Sequence, residues 1–196
     1  MYWSDYFEKT KTKTVSPLLE QAYLLAPARD SALDLGAGAL IDTKFLLSVG
    51  FQTVTAVDAD PAIKKYARGF TTNQLKFKIA AFENVALGTN CYDFILANFS
   101  LPFTSPPHLP RVFSGIIKSL KPEGIFAGNF FGPKDSWAKK EKHLTFLNLD
   151  QVHELIRPLK IIHFQEKEWD GSTIDGQSKH WHTFDIIAQK PKHKHD

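Results

Sequence analysis

Asp34, Gly36 and Gly38 share one short bend, in the run Ala32-Leu33-Asp34-Leu35-Gly36-Ala37-Gly38, and Asp58 closes the apolar run Thr53-Val54-Thr55-Ala56-Val57-Asp58. Glycines at the carboxyl end of a buried parallel strand let the backbone approach a ligand with no Cβ in the way. A carboxylate ending the following strand can accept hydrogen bonds from both hydroxyls of a ribose. The combination predicts a nucleotide-like ligand. Far along the chain, His180 and His182 flank Trp181. A neutral imidazole, available near pH 7, can take a proton from a substrate or hold its anionic group. Asn98, at the end of another apolar run, does not titrate, so its expected role in catalysis is to position.

Two cofactor classes suit such a bend, a dinucleotide and an adenosylmethionine. A dinucleotide site needs a third small residue where its helix packs beside the pyrophosphate, and Ile41 stands there instead. Asp34 would repel a pyrophosphate, whereas it can pair with the ammonium of a methionine moiety, directly or through water.

These residues need a scaffold that brings strand ends together. Ser16-Pro17 ahead of Leu18, Leu19, Ala22, Tyr23 and Leu25 predicts a capped helix before the first strand. After the glycine bend, Asp42 is expected to cap a helix carrying Phe45, Leu46 and Val49 and ended by Gly50. Asp60-Pro61 opens another helix. The alternating run 75–81 reads as a more exposed third strand towards a sheet edge, and 92–98 as the fourth. A proline-rich bridge leads to a helix ending near Leu120, Lys121-Pro122-Glu123-Gly124 is turn chemistry, and 125–131 is the fifth strand. A loop, a short helix over 150–156 and two strands, 159–169 and 180–189, joined as a hairpin, close the chain. The fold class predicted is α/β: a doubly wound, Rossmann-like sheet of seven strands with the last antiparallel, in a single domain. Ligands of such sheets lie beyond the carboxyl ends of the parallel strands, which selects Gly36, Gly38, Asp58, Ala59, Ala81, Phe82, Asn98, Phe99, Phe131 and Gly132. The reversed last strand brings its start, His180-Trp181-His182, to that same side, with the two histidines facing one way and Trp181 the other.

Asp-Leu-Gly-x-Gly with an acid ending the next strand resembles motif I and its successor in the class I S-adenosylmethionine-dependent methyltransferases. Asn98-Phe99-Ser100-Leu101-Pro102 resembles the polar-to-proline motif after their fourth strand, and Leu120-Lys121-Pro122-Glu123-Gly124 their Leu-Lys-Pro-Gly-Gly turn. Asp135-Ser136-Trp137-Ala138 with Lys179-His180-Trp181-His182 looks like a small bacterial group related to the tellurite-resistance-type enzymes. Leu40 departs from the pattern, standing where many members carry a third glycine, so a differently shaped turn is expected. The resemblance implies S-adenosyl-L-methionine as cofactor and S-adenosyl-L-homocysteine as product. The cofactor would be held by Asp34, Gly36, Ala37, Gly38, Asp58, Ala59, Asn98 and Phe99, with adenine at Ala81 and Phe82.

Methyl transfer from a sulfonium is an in-line displacement in which charge disappears, so alignment and exclusion of water matter most. A thiol-like or chalcogen nucleophile needs no base; a protonated amine or hydroxyl would call on His180 or His182. Trp3, Tyr6, Phe131, Trp137, His143 and Trp181 are the candidates for the acceptor pocket, Trp3 and Tyr6 as parts of a mobile lid. No metal is expected, since His-x-His supplies two ligands and no third is evident. A protein that binds the cofactor without turnover, or an NAD(P)-linked reductase, are the competing readings.

At 196 residues the chain predicts one domain over 1–196, with 1–30 a lid and helix and 191–196 a disordered tail. The net charge of +3, with its lysines spread along the chain, does not indicate nucleic acid. No apolar stretch nears the roughly 20 residues that span a bilayer. Lone Cys91 excludes an internal disulfide, reads as structural and fits a reducing, cytoplasmic compartment. The partner expected is a small-molecule acceptor, with the protein a monomer or homodimer.

Overall fold

Short apolar runs separated by helical segments bury every side chain only as inner strands of a parallel sheet covered on both faces. The computed structural model describes residues 3–68, 70 and 73–192, with side chains from Tyr6 onward. In it β1 (Ser31–Leu35), β2 (Thr53–Asp58), β3 (Leu75–Ile79), β4 (Tyr92–Ala97), β5 (Leu120–Phe131), β6 (Lys160–Ser172) and β7 (Ser178–Gln189) form one sheet. Their order is β3-β2-β1-β4-β5-β7-β6. β1 to β5 pair in parallel, and β7 runs antiparallel to both β5 and β6. The sheet is the one the sequence predicts. β4, central, is buried throughout, whereas β3 buries Leu75 alone and lies at the edge.

The helices are α1 (Trp3–Thr10), α2 (Pro17–Ala22), α3 (Ile41–Ser48), α4 (Ile63–Tyr66), α5 (Leu109–Ser119) and α6 (Leu149–Ile156). α2 starts where Ser16 Oγ accepts from the Leu19 amide and Pro17 presets the first turn. α6 starts in a reciprocal capping box between Asn148 and Gln151. One sheet face packs Ala32, Phe94, Leu96, Ile125 and Ile187 against Leu18, Leu19, Ala22 and Leu46 of α2 and α3. The other packs Leu33, Ile95, Phe126, Phe130, Phe184 and Ile186 against α5 and α6. There Phe113 meets Phe126 edge-on at 5.1 Å. Burying each such side chain contributes about 1.5–3 kcal/mol.

Three expectations are corrected. Asp42 does not cap α3: the cap is Leu40, left-handed at φ 62°, and Asp42 lies inside the first turn. The bend at 121–124 falls inside β5, where Glu123 takes φ 65° and the pairing with β4 shifts register. Cys91 is exposed, not buried structurally. Of the expected tail, residues 193–196 lie outside the described residues.

Candidate active site

The glycine bend is held by backbone bonds, since the amides of Gly36 and Ala37 both donate to the Val57 carbonyl, at 2.8 and 3.1 Å. Gly36, Gly38 and Leu40 all have positive φ, at 76°, 49° and 62°. Only Leu40 needs compensation for this, and it has it: its side chain is fully buried with Ala37, Ala56, Ile63 and Leu75. Leucine here exchanges backbone ease for an apolar anchor. Asp58, half-buried, accepts from the Gly38 amide through Oδ2 and from the Asp60 amide through Oδ1, both at 2.9 Å, tying bend to loop. Gly36 is tight for a reason beyond ligand approach: a Cβ would lie 2.4 Å from Ser100 Cβ, with Phe82 on the same side. Gly36→Ala should therefore lower stability by about 2–3 kcal/mol, the sum of left-handed strain and overlap. Urea unfolding checks this, and an unchanged midpoint would contradict the packing described.

Behind the bend lies a row of acids. Asp34 is buried and accepts from Thr43 Oγ1 at 2.6 Å. Asp42, in front of it, accepts from Asn98 Nδ2 at 3.2 Å. Burial, then the Asp42 charge, push the Asp34 carboxyl up to about 8. Between the ordinary carboxyl range and pH 8 the folded state thus keeps a proton that the unfolded chain has lost. Stability is present below that window and falls as pH rises through it. Thermal melts of the ligand-free protein at pH 5 and pH 8.5 should show this loss, and Asp34→Asn should flatten it.

The polar layer continues across β5 and β7. Phe99 leaves β4 with φ 49°, and its amide donates to Asn129 Oδ1 at 2.9 Å. Asn129 Nδ2 donates to Asp185 Oδ1 at 2.5 Å, and Lys167 Nζ to Asp185 Oδ2 at 2.6 Å. Beside this row is a cavity of about 240 Å³ between the start of α2 (Ser16, Pro17, Leu18) and Asn98, Phe99, Thr183 and Trp169. Rings close the next stretch of the edge: Trp181 stacks on Trp169 with planes 10° apart and meets Phe99, Phe131 and Trp137 at about 6 Å. Inside this ring cluster lies the buried ammonium of Lys179, 3.8 Å from the Trp137 centroid and 4.3 Å from that of Trp181. It is paired with buried Asp135.

A bent glycine turn, an acid on the second strand and a cavity beyond the fourth describe a nucleoside-cofactor enzyme, and comparison decides which. A family model described as a methyltransferase domain matches residues 33–128. That match spans just under half of the chain, and with the relatives below it supports a class I S-adenosylmethionine-dependent methyltransferase. The cofactor of that family is S-adenosylmethionine, with S-adenosylhomocysteine as the product form. The curated malonyl-[acyl-carrier protein] O-methyltransferase of Acetivibrio thermocellus is 28% identical over 155 residues, which cover 78% of this chain and 50% of that protein. The chain thus spans about half the length of that relative. Among solved structures, the 1,6-didemethyltoxoflavin-N1-methyltransferase of Burkholderia thailandensis aligns with TM-score 0.70 at 20% identity, over 96% of this chain and 81% of its own. It holds 1,6-didemethyltoxoflavin and S-adenosylhomocysteine. TehB of Haemophilus influenzae aligns with TM-score 0.72 at 15% identity, over 96% of this chain and 67% of its own. Both structural likenesses are of fold.

In this chain Asp34, Gly36, Ala37, Gly38, Asp58, Ala59, Asn98 and Phe99 come together at the carboxyl ends of the parallel strands, and Ala81 and Phe82 follow β3 there. Phe131, Trp137 and Trp181 share one ring cluster. The two histidines do not join them. Strand alternation puts Trp181 with the rings and turns His180 and His182 to the opposite face of β7. His182 is 1% exposed; its Nδ1 accepts from the Lys134 amide at 3.1 Å, so the proton sits on Nε2, 2.9 Å from Glu166. Glu166, Glu168 and His182 do cluster, the carboxylates being partners the sequence did not reveal, but that Nε2 proton and the Lys134–Glu168 ion pair already satisfy them. His180 faces Asp170, chiefly whose hydrogen bond pushes its pKa up, and Glu168. His143 is exposed beside Glu141 and outside the ring cluster. The Trp3 side chain lies outside the described residues. α1 nevertheless sits over the bend: Phe7 is 2% exposed, and a Cβ at Gly38 would lie 3.4 Å from its ring. Tyr6 is half-buried in α1, near enough to Asp42 for that charge to add to burial in raising its pKa.

From sequence, Asp42 reads only as a helix cap, Lys179 only as part of a motif and Lys167 not at all; Asn129, Thr183 and Asp185 also go unread. Their one signal was a polar residue interrupting an apolar strand run, as in Phe126-Ala127-Gly128-Asn129-Phe130 and Thr183-Phe184-Asp185-Ile186. A buried polar group of that kind has to meet partners.

Proposed function

We propose that this protein transfers the methyl group of S-adenosylmethionine to a small-molecule acceptor seated between Asn98 and the ring cluster. The observation that carries the reading is the cavity at the carboxyl ends of β4 and β5, walled by Phe99 and Trp169 and continuous with the polar row that begins at Asp34. In this reading the bend 36–38 cradles the methionine part, Asp58 takes the ribose hydroxyls, Ala59 borders the sugar, and Ala81 with Phe82 receives the adenine. Asp42, less buried than Asp34, is the acid that faces the cationic end of the cofactor. Asn98 positions the acceptor, and Phe131, Trp137 and Trp181 support its wall.

The displacement asks for alignment and dryness more than for a base. α1 supplies closure in this proposal, with Phe7 as its anchor and Tyr6 beside it, and Trp3 is kept as a candidate whose side chain lies outside the described residues. Its Glu8 carboxylate, held down to about 2 chiefly by the Lys11 hydrogen bond, then by Lys65 and Tyr66, joins α1 to α4. The relatives named above act on a carrier-bound malonyl group and on 1,6-didemethyltoxoflavin, acceptors that fit a small-molecule role without selecting one. Among the described residues no helix is long and apolar enough to cross a membrane. A cytoplasmic location, a monomer or homodimer and no role for nucleic acid belong to the same proposal.

The test is transfer of tritiated methyl from S-adenosylmethionine to pooled thiols, amines, carboxylates and oxyanions, with protein and RNA as controls. Label in a small-molecule pool is the expected result. Label confined to protein or RNA would overturn the acceptor class.

A further inference from the structure

Two residues that line the cavity, Asn98 and Thr183, each carry a buried polar atom with no hydrogen-bond partner among the described residues: Asn98 Oδ1 and Thr183 Oγ1. Thr183 is fully buried, so its hydroxyl is desolvated and unpaired, an unfavourable state that a ligand would relieve. Asn98 is oriented by the rest of its amide. Its Nδ2 is committed to Asp42, which leaves the oxygen as an acceptor turned elsewhere. The one cation among the described residues lining the cavity, Lys167, is neutralised at 2.6 Å by Asp185, itself 6% exposed. Behind Asn98 stand Asp42 and Asp34. An anionic acceptor would therefore meet the Asp42 carboxylate behind Asn98 and no uncommitted positive charge in the lining, whereas an N–H donor would meet an unpaired acceptor. The flat walls are Phe99 and Trp169, and about 240 Å³ is the share of about eight water molecules, room for one or two fused rings.

Resting on the methyltransferase reading above, we infer that the acceptor is a small, planar, uncharged nitrogen compound. It gives an N–H to Asn98 Oδ1 and a second polar contact to Thr183 Oγ1. In the transfer the nitrogen lone pair forms the N–CH3 bond as the S–CH3 bond breaks. The electron pair of the broken bond returns to sulfur, giving neutral S-adenosylhomocysteine. The proton of the methylated, cationic acceptor then leaves to water at the cavity mouth, where the Lys167 side chain is 40% exposed. This assigns Thr183 and Asn98 as specificity determinants and needs neither histidine.

The test has two arms. Calorimetry with S-adenosylhomocysteine measures cofactor binding alone; no heat there would fail the methyltransferase reading itself. With that heat present, tritiated transfer is compared across three probe pools: aniline, benzimidazole and pyrazole; benzoate and phenylacetate; thiophenol and tellurite. Label at least tenfold higher in the first pool is expected. Label mainly in either other pool, or in none, overturns the inference. Thr183→Val keeps shape and removes only the unpaired hydroxyl. It should raise the acceptor KM about tenfold while the S-adenosylhomocysteine affinity stays unchanged and the melting temperature stays level or rises. An unchanged KM would remove Thr183 from the site.

Discussion

Replacing Asp58 by alanine should weaken S-adenosylhomocysteine binding by more than about 100-fold, because two charge-assisted hydrogen bonds at about 1.5–3 kcal/mol each are lost. Both oxygens of this carboxylate already have work in the ligand-free protein, where they hold the amides of Gly38 and Asp60. Each carboxylate oxygen can accept more than one bond, so a ribose can be gripped without releasing the bend. The alanine variant consequently loses a contact and a brace together, and its affinity loss should exceed that of Asp58→Asn, which keeps one oxygen. Calorimetry on both variants, with melting temperatures to separate loss of the brace, measures the split. Affinity of the alanine variant within threefold of the parent protein would refute the assignment of Asp58 to the ribose.

Asp135→Ala should destabilise the fold more than Gly36→Ala or Asp58→Ala, by about 3–5 kcal/mol, because it strands a buried ammonium. Lys179 and Asp135 have fully buried side chains, and the lysine has three rings around it, Phe131, Trp137 and Trp181. Burial lowers the Lys179 pKa against the raising effect of Asp135, so removing the acid leaves the desolvation unopposed. In a chain of this size each kcal/mol moves the melting temperature by about 2–4 °C, giving a fall of about 6–20 °C. Adding Lys179→Met should recover most of it, since methionine packs on the same rings and needs no counter-charge. A double variant no more stable than Asp135→Ala would show that the pair acts otherwise. Asp135 also receives the Trp137 amide at 2.9 Å, so the single variant should loosen the wall of the acceptor site as well as the fold.

Much of the glycine bend was legible because it is local. A strand, a bend of fixed backbone shape and an acid on the next strand are read from neighbours in sequence, and Ala32 to Gly38 with Asp58 needed no tertiary information. The strand order was legible too, since alternating strands and helices admit few right-handed arrangements. The acceptor side was not. His180 and His182 looked reactive by type, and period-two alternation correctly set them opposite Trp181. Which of the two faces carries the cavity depends on what covers each face, and that is decided by α2 and the rings of Phe99 and Trp169. Leu40 illustrates the same limit from the other side: its type argues against a left-handed bend, and only its burial among Ala37, Ala56, Ile63 and Leu75 explains how it is held there.

By itself, the order of residues determined the seven-stranded sheet, its reversed last strand and the position of the nucleoside bend, because hydrophobic period and turn chemistry act over a few residues. Tertiary structure alone decided that Asp42 stands before Asp34, that Asn129, Asp185 and Lys167 form one row, and that Lys179 lies inside the rings. Those contacts join residues far apart in the chain. Their energies come from shared burial, which no single segment carries.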